Sequence, residues 1–231
     1  YEEQEKLKKR KQKKKLTPED EERLKELQEK KKLRNTAIDI LRGISVRMPM
    51  LIYGAEIDYD NDITLDAFVD LVDEDSWNEF MPKGVSKDKF REFQKYYDEE
   101  VFIAAGRKIR YIARQADELD PEERVKKIAS LFNCFKNPDK ETVLTPWRVV
   151  NMHMSEAIGG WDFWDENHEM TIEKARFVDQ GEITQQVFKD PDTKILEINS
   201  KTGLYPLYVA YSVYREKLNV MGDKVNRKVL W

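Results

Sequence analysis

The sequence predicts a mainly α protein: a helical bundle followed by a single strand–turn–helix unit. Three observations lead there. Between residues 64 and 135, apolar side chains recur at helical spacing behind residues that cap helices well. Near residue 194 the pattern changes to a short apolar run, a turn and a second helical stripe. Finally, aromatics make up 11% of the chain, too many for disorder, while charged residues at 37% are well above the usual quarter. No apolar run approaches the roughly 18–20 residues of a membrane-spanning helix. The single cysteine, Cys134, excludes a disulfide framework and suits a reducing cytoplasm.

Charge is distributed unevenly along the 231 residues. Residues 1–34 carry +5, residues 35–100 carry −9, and the net charge is −4. Only the first segment is basic, so whole-chain charge gives no case for nucleic-acid binding. Residues 1–34 form a charged helical arm. Thr17 is placed as an N-cap, Pro18 at the first helical position, and Glu19 and Asp20 in the first turn. With Leu24 and Leu27 nearly alone as its stripe, this arm reads as a charged linker, or alternatively as a phosphate-contacting arm.

A short helix through Ile38 and Leu41 is expected to end at Gly43. Ile44–Tyr53 then reads as a strand or extended segment interrupted by Pro49, and Glu56–Asp62 as an acidic loop. Thr64 caps a helix carrying Leu65, Phe68, Val69 and Val72, and Ser86 caps one carrying Phe90, Phe93 and Tyr97. A longer helix covers Val101–Leu119. Asp120-Pro121-Glu122-Glu123 starts the next, with Val125, Ile128, Leu131, Phe132 and Phe135 inward. These stripes are core, and the acidic surface of 56–75 has no metal-ligand spacing.

Thr145 is expected to cap a helix that starts at Pro146 and puts Val149, Val150, His153, Met154 and Ala157 on one face. Neither His153 nor His168 has a catalytic partner or metal spacing. From Gly159-Gly160 to Phe188 a turn, a strand or hairpin and a short helix are expected. Trp161, Phe163 and Trp164 there are suited to packing, or alternatively to stacking on bases. Lys194–Ile198 reads as a buried strand, Asn199–Gly203 as its turn, and Leu204, Leu207, Tyr208, Tyr211, Tyr214 and Leu218 as a helix. That is the first half of a nucleotide-binding βαβ unit.

Two of these segments resemble DNA adenine amino-methyltransferases of the gamma arrangement. Thr145-Pro146-Trp147-Arg148-Val149-Val150-Asn151-Met152, with Met154 close behind, resembles that family's Thr-Pro-x-x-Val-Val-x-x-Met helix. Glu197-Ile198-Asn199-Ser200-Lys201-Thr202-Gly203-Leu204-Tyr205 is similar to its acidic, glycine-bearing cofactor turn, with Glu197, Gly203 and Tyr205 in register. The segments 137–154 and 194–215, and the stretch Asp75–Val85, look most like large bacterial restriction–modification proteins that join a helicase to such a methylase.

The resemblance implies three parts: the arm (1–34), a helical coupler (35–140) and the start of a Rossmann-like methyltransferase domain (141–231). It further implies S-adenosylmethionine as cofactor, held by Thr145, Pro146, Glu197, Asn199, Ser200, Gly203 and Tyr205. DNA and other domains of the same polypeptide are the implied partners, in the cytoplasm and without a membrane. Lys201 stands where the family's first turn glycine falls, and no Asn-Pro-Pro-Tyr loop occurs, so no catalytic residue is assigned. Tyr1 and the apolar Lys228–Trp231 are expected to be cuts in a longer chain. The competing expectation is a non-enzymatic helical module that binds protein or DNA.

Overall fold

The computed structural model describes residues 2–12, 17–54, 61–138, 143–198 and 201–222. In its first half the helices are α1 (Glu2–Gln12), α2 (Pro18–Gly54), α3 (Leu65–Leu71), α4 (Glu74–Phe80), α5 (Lys87–Phe93) and α6 (Glu99–Asp117). Then follow α7 (Pro121–Asn133), α8 (Trp147–Ala157), strands β1 (Gly160–Trp164) and β2 (Thr171–Val178), α9 (Glu182–Lys189) and α10 (Leu204–Met221). Among the described residues the protein is therefore mainly helical, with one two-stranded antiparallel sheet. No described helix is long and apolar enough to cross a membrane.

Packing divides the chain into two units, residues 1–48 with 73–95, and residues 49–72 with 96–231. In the first, α1 and α2 form a sparsely buried pair, with Leu7 and Leu24 inward and an ion pair from Arg23 to Glu3 at 3.3 Å. Thr17 caps α2 as expected: its hydroxyl accepts from the Asp20 N–H at 3.2 Å. The expected break at Gly43 and the extended Ile44–Tyr53 do not form, because α2 runs through both Gly43 and Pro49. Ile44, Met48 and Ile52 are buried at a spacing of four, which is a helix stripe as readily as an alternating one. Gly43 is not a stop; a β-carbon there would lie 3.2 Å from the Pro82 ring. Trp77 of α4 is fully buried, its indole donating to the Val85 carbonyl at 2.9 Å and its ring edge-on to Phe90.

In the second unit Thr64 and Asp120 cap α3 and α7 as the sequence predicts. Helix α6 starts two residues earlier than expected, where the Asp98 carboxylate accepts from the Val101 N–H at 3.2 Å. Helices α6 and α7, expected in the coupler, pack in the same unit as α8 to α10. Its core joins Val125, Ala129 and Phe132 of α7 to Trp147 and Val150 of α8, Phe163 of β1, and Leu204, Tyr208 and Tyr211 of α10. Of the expected strand or hairpin, the hairpin forms: Gly160 pairs with Val178 and Asp162 with Arg176.

Lys194–Ile198, expected as the buried strand of the βα unit, is not a strand. It pairs with no described segment, and Leu196 and Ile198 are more than 80% exposed. The reason is physical: a parallel strand is held by its neighbours in a sheet, and the described residues offer none beside it. The other half of the unit, a glycine turn into a helix, is formed at Gly203 and α10.

Candidate functional site

The two segments that carry the resemblance meet in space. The Lys201 ammonium donates to the Val143 carbonyl at 3.0 Å, and the Tyr205 hydroxyl lies 2.9 Å from His153 Nδ1. These contacts tie the turn before α10 to both ends of the Val143–His153 stretch. Gly203 has φ +72° and Lys201 φ +50°, so two left-handed residues shape the turn. Among the described residues a β-carbon on Gly203 would meet nothing within 4 Å. No side chain caps the first turn of α10. Glu197 is half-buried, and burial lifts its carboxyl above the ordinary value. Asn199 and Ser200 lie outside the described residues.

Thr145 does not cap α8, and Pro146 is the cap position instead of the first helical residue. The Trp147 N–H is taken by the Asn133 side-chain oxygen at 3.3 Å, so a partner from α7 fills the role. The expected α8 face is also rotated. His153 is exposed, and the fully buried positions are Trp147, Val150, Asn151 and Ser155. Asn151 is buried because it bridges two backbones, accepting from the Phe163 N–H at 2.9 Å and donating to the Trp147 carbonyl at 2.7 Å. Nothing in the sequence pattern marks this asparagine as core.

Two polar clusters hold the unit together. Asp162, completely buried, accepts from Arg176 at 2.8 Å, from the Trp164 N–H at 3.0 Å and faces His168 Nε2 at 2.9 Å. Ser155 Oγ lies 3.2 Å from the same Nε2. A serine nucleophile needs its histidine to face serine and carboxylate through different nitrogens, so this is not a catalytic triad. It is a buried anchor between α8 and the hairpin. In the second cluster, Glu122 accepts from the Tyr211 hydroxyl at 2.8 Å, Arg215 at 2.9 Å and the Ala175 N–H at 3.0 Å. Burial opposes the Glu122 charge, but these hydrogen bonds and Lys126 outweigh it and hold the carboxyl below its ordinary value. Burial pushes the Tyr208 and Tyr211 phenols far above theirs, so both stay neutral donors.

Two clefts open beside these clusters. One of about 710 Å³ is lined by Glu122, Glu173, Tyr214, Arg215 and neighbours. Another, of about 580 Å³, runs between α7 and the hairpin, with Trp147, Phe163 and Trp164 as its aromatic wall. Neither is lined by Thr145, Pro146, Glu197, Gly203 or Tyr205. Among the described residues the indole N–H groups of Trp147 and Trp164 are buried without a partner, each at a cost of about 1–3 kcal/mol. Among the described residues no group of acids, histidines and cysteine could hold a metal ion.

No family model matches the sequence, and no curated protein or solved structure matches the chain.

Proposed function

We propose that this chain is the helical coupler and the cofactor-side opening of an S-adenosylmethionine-dependent DNA adenine methyltransferase of the restriction–modification kind, acting in the cytoplasm. The observation that carries the reading is the open left-handed turn at Gly203, joined through Lys201 and Tyr205 to the Val143–His153 stretch. A backbone turn with free space above it, running into an uncapped helix, lets a ligand approach where a side chain would stand in the way. In this reading Thr145 and Pro146 flank the methionine end, and Glu197, Asn199, Ser200, Gly203 and Tyr205 pass beneath the cofactor. The base-holding Asn-Pro-Pro-aromatic loop belongs elsewhere in the enzyme, so this segment binds and does not methylate. Duplex DNA and the enzyme's other domains are its partners.

The second reading, a helical interaction module without cofactor, is favoured by one observation: Lys194–Ile198 has no ladder partner and leaves its apolar residues in water. Titration of the chain with S-adenosylmethionine decides between them. Binding to the folded state raises the melting temperature with the logarithm of cofactor concentration. Lys201→Gly relieves about 1–2 kcal/mol of left-handed strain and gives up the contact to the Val143 carbonyl, leaving Tyr205 to hold the two segments together, and is expected to tighten binding. If neither the chain nor Lys201→Gly shifts at millimolar cofactor, the methyltransferase reading is wrong.

A further inference from the structure

We propose that the groove between α1 and α2 grips the phosphate backbone of duplex DNA. The proposal rests on the function proposed above for its partner and adds the surface that meets it. Two stretches of the sequence are basic without interruption. Lys6–Lys15 holds eight Lys and Arg and no acid, and residues 30–38 hold four and no acid. The fold brings these separate stretches to one place. Lys8 of α1 and Lys31 and Lys32 of α2 line a single groove of about 390 Å³. Among the described residues Asp39 is the one carboxylate lining it, which leaves three ammonium groups against one negative charge.

Like charges gathered in a groove repel one another, and these are not all neutralised from within. Arg10 is engaged by Asp20, and Arg23 by Glu3 and Glu26. Lys8 and Lys32 are exposed and pair with no acid among the described residues. The groove also holds a polar side chain without a partner. Gln4, which lines it, is only 8% exposed, and its amide makes no hydrogen bond among the described residues. That amide still retains accessible surface, unlike the sealed indole nitrogens of Trp147 and Trp164. Buried amides in native proteins are nearly always satisfied, so Gln4 calls for a partner that enters the groove. Phosphate oxygens accept from ammonium and amide N–H groups alike, and Lys, Gln and Asn make such contacts to a DNA backbone. With a charge about every 1.7 Å of its axis, a duplex presents several phosphates to a groove of this size. DNA is favoured over an anionic membrane, because an interfacial helix needs an apolar face to bury. Among the described residues no apolar side chain lines this groove.

The test is fluorescence anisotropy of a labelled DNA duplex titrated with the chain over a salt series. Lys8→Gln combined with Lys32→Gln removes two phosphate contacts. It is expected to weaken binding at least about tenfold near 0.1 M salt, and to make the fall of log affinity with log salt shallower by about 2. Lys83→Gln combined with Lys89→Gln removes the same charge at exposed positions outside the groove, and is expected to leave that slope unchanged. Gln4→Leu keeps the bulk and removes the amide, and is expected to weaken binding about tenfold without lowering the melting temperature. Wild-type affinity and slope in the Lys8, Lys32 variant, or an equal loss in the Lys83, Lys89 variant, overturns the proposal. So does the absence of duplex binding at low salt, or tighter binding to phosphatidylserine vesicles than to the duplex. A melting-temperature shift with S-adenosylmethionine but no duplex binding removes the groove and leaves the cofactor reading standing. Groove-dependent duplex binding without that shift does the reverse.

Discussion

Two glycine turns in the second unit share a left-handed φ and differ in how crowded they are. Gly159 has φ +75° and Gly203 φ +72°. At Gly159 a β-carbon would collide with Thr184 Oγ1 and the Val178 carbonyl, and at neighbouring Gly160 it would come 2.7 Å from Ser212 Oγ. At Gly203 a β-carbon would meet nothing within 4 Å among the described residues. The first turn needs glycine twice over, for its dihedral angle and for the hairpin packed against it. The second needs glycine for the dihedral angle alone. A crowded turn is part of the core, whereas an uncrowded one leaves space that a ligand can use. A similar φ thus belongs to a packed turn in one place and to an uncrowded one in the other.

The largest expected effect tests the crowded turn. Gly159→Ala adds a clash to the left-handed strain and is expected to cost about 3 kcal/mol, read as a lower urea midpoint. A midpoint within error of wild type would mean that the hairpin is not held as described.

Next comes Glu122, which ties α7 to β2 and α10 through Ala175, Tyr211 and Arg215. Glu122→Gln is expected to cost about 1–2 kcal/mol near neutral pH, since it leaves charged partners half-matched. The folded carboxyl is held below its ordinary value of 4.5. Its contribution is therefore complete above that pH and is lost as acid titrates the folded group. Stability curves of the two proteins should converge on acidification, and a constant gap down to low pH would contradict the pairing.

The smallest effect belongs to the open turn. Gly203→Ala meets no atoms of the described residues within 4 Å and is expected to cost only about 1 kcal/mol. A loss as large as that of Gly159→Ala would erase the contrast between the turns.

Much of the helical part was readable because its signals are local. Thr17, Thr64, Ser86 and Asp120 each cap a helix through a side chain accepting from N–H groups two or three residues on. Such bonds need no information from elsewhere in the chain. Within Ile44–Tyr53 a spacing of four satisfies both an alternating and a helical period, so the pattern does not separate strand from helix, and α2 continues through Pro49. Helix α4 carries a local signal, Asp73 as its cap, that the apolar pattern obscured. The start of α8 could not be read locally, since its capping partner is Asn133, fourteen residues earlier. The cleft beside the hairpin was equally hidden: Trp147 and Trp164 come to line one space only when α7, α8 and the hairpin pack.

The sequence by itself determined the mainly helical character, most helix starts, extended structure after Gly159-Gly160 and the glycine turn into α10. Each follows from short-range hydrogen bonding, backbone sterics or one-face periodicity, which act within a few residues. Only the tertiary structure decided that α2 continues through Pro49 and that Lys194–Ile198 stays unpaired. It alone revealed that Asn151, Asp162 and His168 are buried, and that the Val143–His153 stretch lies against the Gly203 turn. Those outcomes depend on partners far away in the chain, and burial of a polar group or pairing of a strand is settled by what stands opposite it.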